Sequence, residues 1–281
     1  MNWHSSYIFV IFGVVVLVTS IIVYWYQNRL LKRVNQLMKQ SEESKKQIIA
    51  EQKRNQQLKQ EMTNNISHEL KTPVSSIRGY LEILLSDKPL DEAKRRYFLE
   101  RCYQQTLRLS DLIHDVSLIN KLEEAYDLFP KEQLNLYDIL QEAIHDLEDN
   151  AALHNDLIEN NLTESMQMYG NRNLLYYIFR NLIENSILYA GDEVTIAIQC
   201  YKETDEAYYL HFYDDGCGVG NQYLDKLFDR FLRIDEGRSR KTGGTGLGLS
   251  IVKHAVQFHG GSIYAKNREQ GGLEFFFSLR K

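Results

Sequence analysis

An uncharged apolar run near the amino terminus constrains the fold of this chain more than any other feature of its sequence. The run covers 21 residues, Ser6–Tyr26, and contains no Asp, Glu, Lys or Arg. About 20 apolar residues in a helix span the hydrocarbon core of a bilayer. Three aromatic residues, Tyr24–Tyr26, end the run where an interfacial aromatic belt would lie. The sequence therefore predicts that residues 1–27 form a short external segment and a single transmembrane helix at about 6–26.

A cleaved signal peptide is the alternative interpretation of this run. It would require a basic region before the run, a shorter apolar stretch and a small-residue cleavage site, and the sequence has none of these. Only His4 and the terminal amine precede the run, whereas four basic residues soon follow it: Arg29, Lys32, Arg33 and Lys39. The positive-inside rule then places the carboxyl side in the cytoplasm. We expect a single-pass protein of the cell membrane with its amino terminus outside, no further external domain, and cytoplasmic domains after the span.

Overall charge and cysteine content exclude several classes of function. The formal net charge is −5 and the sequence pI is about 5.9, which argues against direct nucleic-acid binding. The three cysteines are widely spaced and form no C-x-x-C pair, so we expect neither a disulfide framework nor a zinc site. They are best interpreted as packing residues in a reducing compartment.

Residues 28–57 form a basic stretch after the predicted span. The segment 27–60 contains nine Lys or Arg against three Glu and has no Pro or Gly, which favours one continuous helix. Its apolar ladder is interrupted, so two interpretations remain open. It is either a weak coiled coil whose basic charge lies near anionic lipid headgroups, or a solvated helical spacer.

Residues 58–128 show the pattern of a helical hairpin. An apolar stripe recurs with helical spacing, a break follows at 86–91, and a second periodic run extends from Phe98 to Asn120. The first stripe consists of Leu58, Met62, Ile66, Leu70, Val74, Ile77, Leu81 and Leu84. Two helices alone bury little surface, so we expect a homodimer in which two hairpins form a four-helix bundle.

Residues 129–281 show a mixed pattern of helices and strands. Helical runs lie at Tyr137–Ala151 and Asn173–Tyr189, and a further helix follows Gly248. Strand-like runs lie at Val194–Tyr201, Tyr208–Tyr213, Ser262–Lys266 and Leu273–Leu279. Together they predict an α/β sandwich in which helices cover one sheet.

The segment NNISHELKTP, Asn64–Pro73, places chemistry on the first helix of the hairpin. His68 lies between the core positions Ile66 and Leu70, so its imidazole should project into solvent. A neutral imidazole is nucleophilic near pH 7, and Glu69 could fix its tautomer or accept its proton. Thr72 lies one turn further on the same face. Pro73 removes a helical hydrogen bond at a cost of about 3 kcal/mol and should loosen the backbone here.

Two short motifs in the second half suggest a nucleotide site. Asn181 and Asn185 lie one turn apart on one helix face, where their two amide oxygens could hold a hydrated Mg²⁺. Asp214, at a strand end, is followed by Gly216 and Gly218, so its carboxylate could bind a base while the backbone approaches closely.

A glycine-rich loop precedes the last helix in KTGGTGLGLSIVKHAVQF, Lys241–Phe258. Free N–H groups at such a helix start bind anions, and the spacing is neither a Walker A loop nor a dinucleotide fingerprint. Its glycines are Gly243, Gly244, Gly246 and Gly248, and the basic residues before it are Arg230, Arg233, Arg238, Arg240 and Lys241. We expect this basic segment to suit a polyphosphate.

In combination, these motifs resemble the sensor histidine kinases of bacterial two-component systems. HELKTP is similar to the phosphoacceptor box, N-x-x-x-N to the asparagine box, DDGCG and GGTGLGL to the two glycine boxes, and LFDRF (Leu227–Phe231) to the phenylalanine box. The resemblance covers the chain from about residue 58 to its end. It implies a dimerisation and phosphotransfer hairpin followed by an ATP-binding domain of the gyrase and Hsp90 type.

The resemblance also implies roles for individual residues. His68 would attack the γ-phosphate of ATP with Glu69 as acid–base partner, and the phosphoryl group would pass to an aspartate of a response regulator. Thr72 would orient water when the protein dephosphorylates that regulator. Asn185 would bind Mg²⁺, Asp214 would contact the adenine amino group, and residues 219–247 would form a lid. The remaining nucleotide-binding positions would be Asn181, Tyr189, Gly216, Gly218, Phe231, Arg233, Gly244, Gly246 and Gly248.

Three positions depart from the family pattern. Leu188 stands where a Lys or His is common, so a lid arginine could replace that phosphate contact. Asn171 and Ser186 stand where Asp and Ala are usual, and both are interpreted as structural. Leu188 also leaves open a signalling adaptor or regulator phosphatase that has lost kinase activity. A chaperone- or topoisomerase-like ATPase is disfavoured by HELKTP on a tethered hairpin. A membrane sensor or transporter is a possible further partner.

Overall fold

The computed structural model describes residues 3–86, 89–124, 129–234 and 244–281. Within these ranges the side chains of residues 3–12, 14, 15, 55, 58, 123 and 124 are not described. The chain divides into two units, residues 1–63 and 64–281.

Helix α1 extends over Trp3–Leu84 and is the longest element. The described part of the first unit, residues 3–63, lies on this helix, and its described side chains are exposed apart from Met62, which is half-buried. The continuous helix predicted for 27–60 is confirmed, because nothing in that stretch interrupts helical hydrogen bonding. No helix in the described part of the chain combines the length and apolarity of a membrane span. The predicted span includes residues 6–12, 14 and 15, whose side chains lie outside the description.

Helix α2, Glu92–Glu124, forms a hairpin with the last part of α1. The predicted break at 86–91 is confirmed at its described positions, and Asp91 begins α2 by accepting the backbone N–H of Lys94 at 2.7 Å. The rings of Tyr80 and Phe98 lie 5.8 Å apart between the two helices. None of the described members of the predicted apolar stripe is fully buried in one chain. Val74 is 50% exposed and Leu81 is 42% exposed, and the other described members are half-buried.

The described part of the second half forms two sheets, three α-helices and a 3-10 helix, Asn221–Lys226. Strands β1 (Glu132–Asn135) and β3 (Gln167–Gly170) form a two-stranded antiparallel sheet. The five-stranded sheet has the order β2-β4-β5-β7-β6, with β2 parallel to β4 and the other pairs antiparallel. Its strands are β2 (Leu157–Asn161), β4 (Thr195–Glu203), β5 (Ala207–Asp214), β6 (Ile263–Asn267) and β7 (Leu273–Arg280). The helices are α3 (Leu136–His154), α4 (Arg172–Tyr189) and α5 (Gly248–Phe258).

One face of the large sheet is buried beneath these helices. Along β5 the burial alternates strictly, so that Leu210 and Phe212 are fully buried while Tyr209 and His211 remain partly exposed. Helices α3, α4 and α5 contribute the opposing apolar side chains, among them Leu140, Ile178 and Ile251. The predicted α/β sandwich is confirmed, whereas β1, β2 and β3 were not predicted.

Helix α4, which contains both candidate asparagines, begins at a buried polar junction. The Asn171 side chain accepts the backbone N–H of Leu174 at 3.1 Å and donates to the carbonyl of Pro130 at 2.9 Å. The backbone N–H of Asn171 donates to Nε2 of buried His259 at 3.0 Å, and burial lowers the pKa of His259 to about 4. The structural interpretation of Asn171 is therefore confirmed, since it caps α4.

Candidate functional site

His68 lies on an exposed face of α1 within the second unit. Its side chain is exposed, and Glu69 beside it is half-buried. The hydroxyl of Thr72 donates to the backbone carbonyl of His68 at 3.3 Å, and Ser76 repeats this bond to Thr72 at 3.1 Å. The three positions named from the sequence thus share one stretch of helix.

Pro73 lies inside α1 without ending it. The expected loosening of the backbone is not seen as a break, because α1 is helical on both sides of the proline. The Pro73 side chain is buried, so its ring contributes apolar packing that offsets part of the lost hydrogen bond.

Asn181 on α4 lies against the first residue of α5. Its Nδ2 donates to the carbonyl of Tyr177 at 2.9 Å. A Cβ at Gly248 would lie only 2.4 Å from Oδ1 of Asn181, so a larger residue at this position would force the Asn181 side chain to move. Asn185, one turn later on the same helix, is half-buried. Helix α4 therefore places the Asn181 side chain against the first residue of α5. Asn185 lies one turn further along α4, on the same face as Asn181.

Asp214 ends β5 as a buried carboxylate held by three donors. It is 3% exposed, and its Oδ2 accepts the hydroxyl of Ser186 at 2.8 Å. Its Oδ1 accepts the backbone N–H groups of Gly216 and Leu273, each at 3.1 Å. Ser186 was interpreted only as structural, and the structure shows that it fixes the orientation of a predicted binding group.

The glycine loop packs against two aromatic residues named from the sequence. A Cβ at Gly244 would lie 2.6 Å from the Tyr189 hydroxyl. Gly246 has φ +72 and its carbonyl accepts the N–H of Phe231 at 2.8 Å. Phe231 itself has φ 61, a strained conformation for a residue with a side chain. Tyr189 and Phe231 therefore pack against the glycine loop at Gly244 and Gly246, and together they form one side of the candidate site.

The amino terminus of α5 is suited to bind phosphate. No described side chain caps this helix, and Leu247 donates its backbone N–H to the Thr245 hydroxyl at 3.2 Å. An uncapped amino terminus behind glycines presents N–H donors to an anion. The site as described therefore fits the phosphates of a nucleotide. Residues 235–243, including Arg238, Arg240, Lys241 and Gly243, lie outside the described part of the chain.

The described residues contain no group of three or more His, Cys, Asp or Glu side chains that could hold a metal ion. Mg²⁺ does not require such a cage, since it keeps several waters and takes few protein ligands. The amide of Asn185 is compatible with that type of coordination.

Two sets of contacts join the hairpin to the glycine-rich half within the second unit. Arg233 Nη1 lies 3.3 Å from Oε2 of Glu69, and Arg108 Nη2 of α2 lies 3.6 Å from the same oxygen. The Thr245 hydroxyl donates to Oδ2 of Asp115 at 2.8 Å. Burial raises the pKa of Asp115 to about 6, although the Thr245 hydrogen bond opposes that rise.

Sequence reasoning missed Arg108 and Asp115. Both lie on α2, and neither forms part of a recognisable motif. Their partners lie 39 and 130 residues away in sequence, so no local pattern could have indicated the contacts.

Comparisons with known protein families match both halves of the chain. Residues 58–125 match the family described as His Kinase A (phospho-acceptor) domain. Residues 170–281 match the family described as histidine kinase-, DNA gyrase B-, and HSP90-like ATPase.

The chain is similar in sequence to two sensor proteins and in fold to one solved structure. The chain is 32% identical to sensor histidine kinase WalK of Bacillus subtilis over 82% of its own length and 38% of WalK. It is 34% identical to the phosphate regulon sensor protein PhoR of Pseudomonas aeruginosa over 73% of its length and 46% of PhoR. The chain thus spans less than half the length of either relative. Histidine kinase ThkA, solved in complex with response regulator protein TrrA, has the same fold with a TM-score of 0.62 at 22% identity, covering 79% of this chain and 61% of ThkA.

Proposed function

Because the chain belongs to the sensor histidine kinases of two-component systems, we propose that it is an ATP-dependent protein-histidine kinase. In this proposal His68 receives the γ-phosphoryl group of ATP and passes it to an aspartate of a cognate response regulator. The chain would also dephosphorylate that regulator. The function is therefore signal transduction by phosphoryl transfer.

The contact between Arg233 and Glu69 carries this proposal. Arg233 belongs to the segment between the two glycine stretches, and Glu69 follows His68 on α1. Their 3.3 Å ion pair supports the proposal, because it brings a residue of the second half to the helix that carries His68. Phosphoryl transfer needs this proximity, because positioning supplies most of the catalysis.

The proposed roles follow the geometry of each side chain. His68 attacks from an exposed helix face, and Glu69 takes the imidazole proton. Asp214 binds the adenine amino group with its fixed carboxylate. The phosphates lie against the amino terminus of α5. The supporting positions are Asn181, Tyr189, Gly216, Gly218, Phe231, Arg233, Gly244, Gly246 and Gly248.

ATP with Mg²⁺ is the proposed cosubstrate, and it supplies the activated phosphoryl group. Asn185 would hold the ion together with water molecules, consistent with its amide oxygen and its half-buried position on α4. Asn181 would stay near the phosphates, since it contacts the first residue of α5.

A homodimer is proposed because the hairpin leaves apolar side chains uncovered in one chain. Five of them are 42% to 56% exposed: Val74, Leu81, Leu99, Leu107 and Ile113. A second hairpin would cover them in a four-helix bundle. We assign residues 58–128 to this dimerisation and phosphotransfer domain and residues 129–281 to the ATP-binding domain.

Membrane attachment is proposed from the amino-terminal sequence. The uncharged run Ser6–Tyr26 and the basic residues after it support a single span in residues 1–27 with the kinase domains in the cytoplasm. The linker at 28–57 would lie near lipid headgroups. A membrane sensor or transporter is the kind of partner that would deliver a signal to such an anchor.

Replacing His68 tests the kinase proposal. We expect His68→Gln to abolish acid-labile, base-stable labelling from γ-labelled ATP while nucleotide binding remains. His145→Gln is the matched control, because His145 is an exposed histidine on α3. Labelling that persists in His68→Gln would move the acceptor to another residue, and no labelling in the unmodified chain would refute kinase activity.

A further inference from the structure

Asp115 of helix α2 is hydrogen-bonded to the loop that leads into α5. Its Oδ2 accepts the hydroxyl of Thr245 at 2.8 Å, and the same hydroxyl oxygen accepts the backbone N–H of Leu247 at 3.2 Å. Leu247 is fully buried and immediately precedes Gly248, the first residue of α5. A side chain of the hairpin is therefore two hydrogen bonds away from the helix start that is proposed to bind phosphate.

The two bonds use different parts of the Thr245 hydroxyl. Its single proton is donated to Asp115, and the lone pairs of its oxygen remain free to accept the N–H of Leu247. A hydrogen bond to an ionised carboxylate is roughly twice as strong as one between neutral groups. Asp115 therefore fixes the direction of the hydroxyl, and the hydroxyl holds the backbone just before α5.

The neighbouring residue on α2 supports another part of the same region. The ring of His114 stacks on the ring of Tyr177 of α4, with centroids 5.6 Å apart and planes inclined by 7°. The carbonyl of Tyr177 accepts Nδ2 of Asn181, whose side chain lies against Gly248. Helix α2 also packs against α5 directly. Because several contacts set the position of α2, Asp115 acts from a rigid support.

The charge of Asp115 gives it no direct use in binding phosphate. Burial raises its pKa to about 6, the charges of Asp111 and Glu184 add to this rise, and the Thr245 hydrogen bond and His114 oppose it. A negative charge near the proposed phosphate site repels a polyphosphate and by itself weakens binding. The part of Asp115 that can favour nucleotide binding is therefore its acceptor oxygen and not its charge.

We propose that Asp115 is a positioning residue for the phosphate end of the nucleotide site. It holds Thr245, and through Thr245 it keeps the backbone N–H groups at the start of α5 in the geometry that a phosphate requires. The proposal rests on the proposed nucleotide site and adds to that site one residue of the hairpin.

Binding of ADP with Mg²⁺ tests the proposal without requiring turnover. At pH 8 Asp115 is ionised, because its pKa is about 6. We expect Asp115→Ala to weaken ADP binding by about tenfold in titration calorimetry, since a hydrogen bond to a charged group is lost. Asp115→Asn keeps an oxygen acceptor for Thr245, so it should bind ADP at least as tightly as the unmodified chain. Tighter ADP binding by both variants would show that only the charge matters and would overturn the proposal.

Adenosine separates the positioning of the phosphates from a general effect on the fold. It carries the base and the sugar but no phosphate, so we expect its affinity for Asp115→Ala to stay within about twofold of its affinity for the unmodified chain. Equal losses of adenosine and ADP affinity would show that Asp115 only supports the fold, and the proposal would be wrong. Asp111→Ala is the matched control, because it removes an exposed carboxylate one turn earlier on α2 and should not weaken ADP binding.

A second background tests the route through Thr245. Thr245→Val removes the hydroxyl but keeps the shape of the side chain, and it should weaken ADP binding as Asp115→Ala does, whereas Thr245→Ser should retain most of the affinity. In a Thr245→Val chain, we expect Asp115→Ala to cause no further loss. A further loss would show that Asp115 acts by another route and would contradict the proposal.

The positioning role and the kinase function can fail separately. If ADP binding depends on Asp115 as expected while His68 is never labelled, the kinase proposal fails and the positioning role remains. If ADP affinity is unchanged in Asp115→Ala while His68 is labelled, the positioning role fails and the kinase proposal remains. An unmodified chain that binds no ADP would refute both.

Discussion

Ser186 on α4 donates its hydroxyl proton to Oδ2 of Asp214 across 2.8 Å, and both side chains are almost completely buried. The opposite carboxylate oxygen is held by two backbone N–H groups. Orientation of Asp214 therefore depends on one side chain and on backbone that mutation cannot easily remove.

We expect Ser186→Ala to weaken ATP binding by about tenfold, because a hydrogen bond to a charged group contributes roughly 1.5 kcal/mol. The two backbone bonds that remain should prevent a larger loss. The maximal labelling rate should change little, since Asp214 is proposed to bind the base and not the reacting phosphate. Titration calorimetry with ATP measures the effect. Ser278→Ala is the control, because Ser278 lies near the carboxyl end of β7, away from Leu273. Equal ATP affinities for the two variants would contradict the role of Ser186 in orienting Asp214.

Replacing Asn185 tests the magnesium ligand. We expect Asn185→Ala to lose at least about tenfold in Mg²⁺-dependent ATP affinity, because the ion would lose the amide oxygen proposed to hold it. Asn173→Ala, an exposed change on the same helix, should bind normally. A Mg²⁺ titration that gives the same ATP affinity for both variants would remove Asn185 from the site.

Thr72 separates the two activities assigned to the hairpin. Its hydroxyl donates to the His68 carbonyl and can still accept a hydrogen bond from water. We expect Thr72→Ala to retain labelling within a few-fold and to slow regulator dephosphorylation by at least ~10-fold, about 1.4 kcal/mol of barrier. A time course of phospho-regulator decay measures this. Ser76→Ala removes the equivalent hydroxyl one turn later, and we expect the phospho-regulator to decay at the normal rate with this variant. Identical decay rates with the unmodified chain and both variants would exclude Thr72 from the phosphatase reaction.

The buried His259 makes stability depend on pH. Its folded-state pKa is about 4 against an ordinary 6.5, so the fold binds fewer protons than the unfolded chain between these values. The stability it contributes is complete above pH 6.5 and is lost as the pH falls towards 4, with a maximum change of about 3 kcal/mol. The glutamine in His259→Gln cannot titrate, so the stability of this variant should decline less steeply than that of the unmodified chain as the pH falls from 6.5 towards 4.

Asp115 opposes this trend, because its raised pKa favours the fold as the pH falls below about 6. Asp115 is present in both the unmodified chain and His259→Gln. The difference between their melting temperatures as a function of pH therefore gives the contribution of His259 alone. His145→Gln should follow the unmodified chain. Parallel pH profiles for His259→Gln and the unmodified chain would show that His259 is not the source.

Periodicity predicted most of the elements, and its failures have physical causes. Strand β2 reads LIENN, which contains poor strand formers, and it is extended because it pairs in parallel with β4. Strands β1 and β3 are four residues each and stabilise one another across 35 residues of sequence. Such pairing is decided by tertiary contacts that a local window does not contain.

Some residues of the candidate site could likewise be predicted from local sequence, whereas others depend on tertiary contacts. The positions on recognisable motifs, such as His68 and Asp214, could be named from the sequence. Their partners Arg108 and Ser186 could not be assigned, because an arginine on a helix or a serine inside one is ordinary by composition. Only the folded arrangement shows which charged or polar group each of them contacts.

The hydrogen bond between Thr245 and Asp115 links the glycine loop to helix α2 within the second unit. Two coupled equilibria affect one another by the same factor. If nucleotide binding changes the equilibrium constant of this contact by some factor, breaking the contact changes the affinity for nucleotide by that same factor. In the proposed kinase, a displacement of α2 that breaks this contact would change ATP occupancy before any chemistry occurs. The affinity for ATP would then report the geometry of the hairpin.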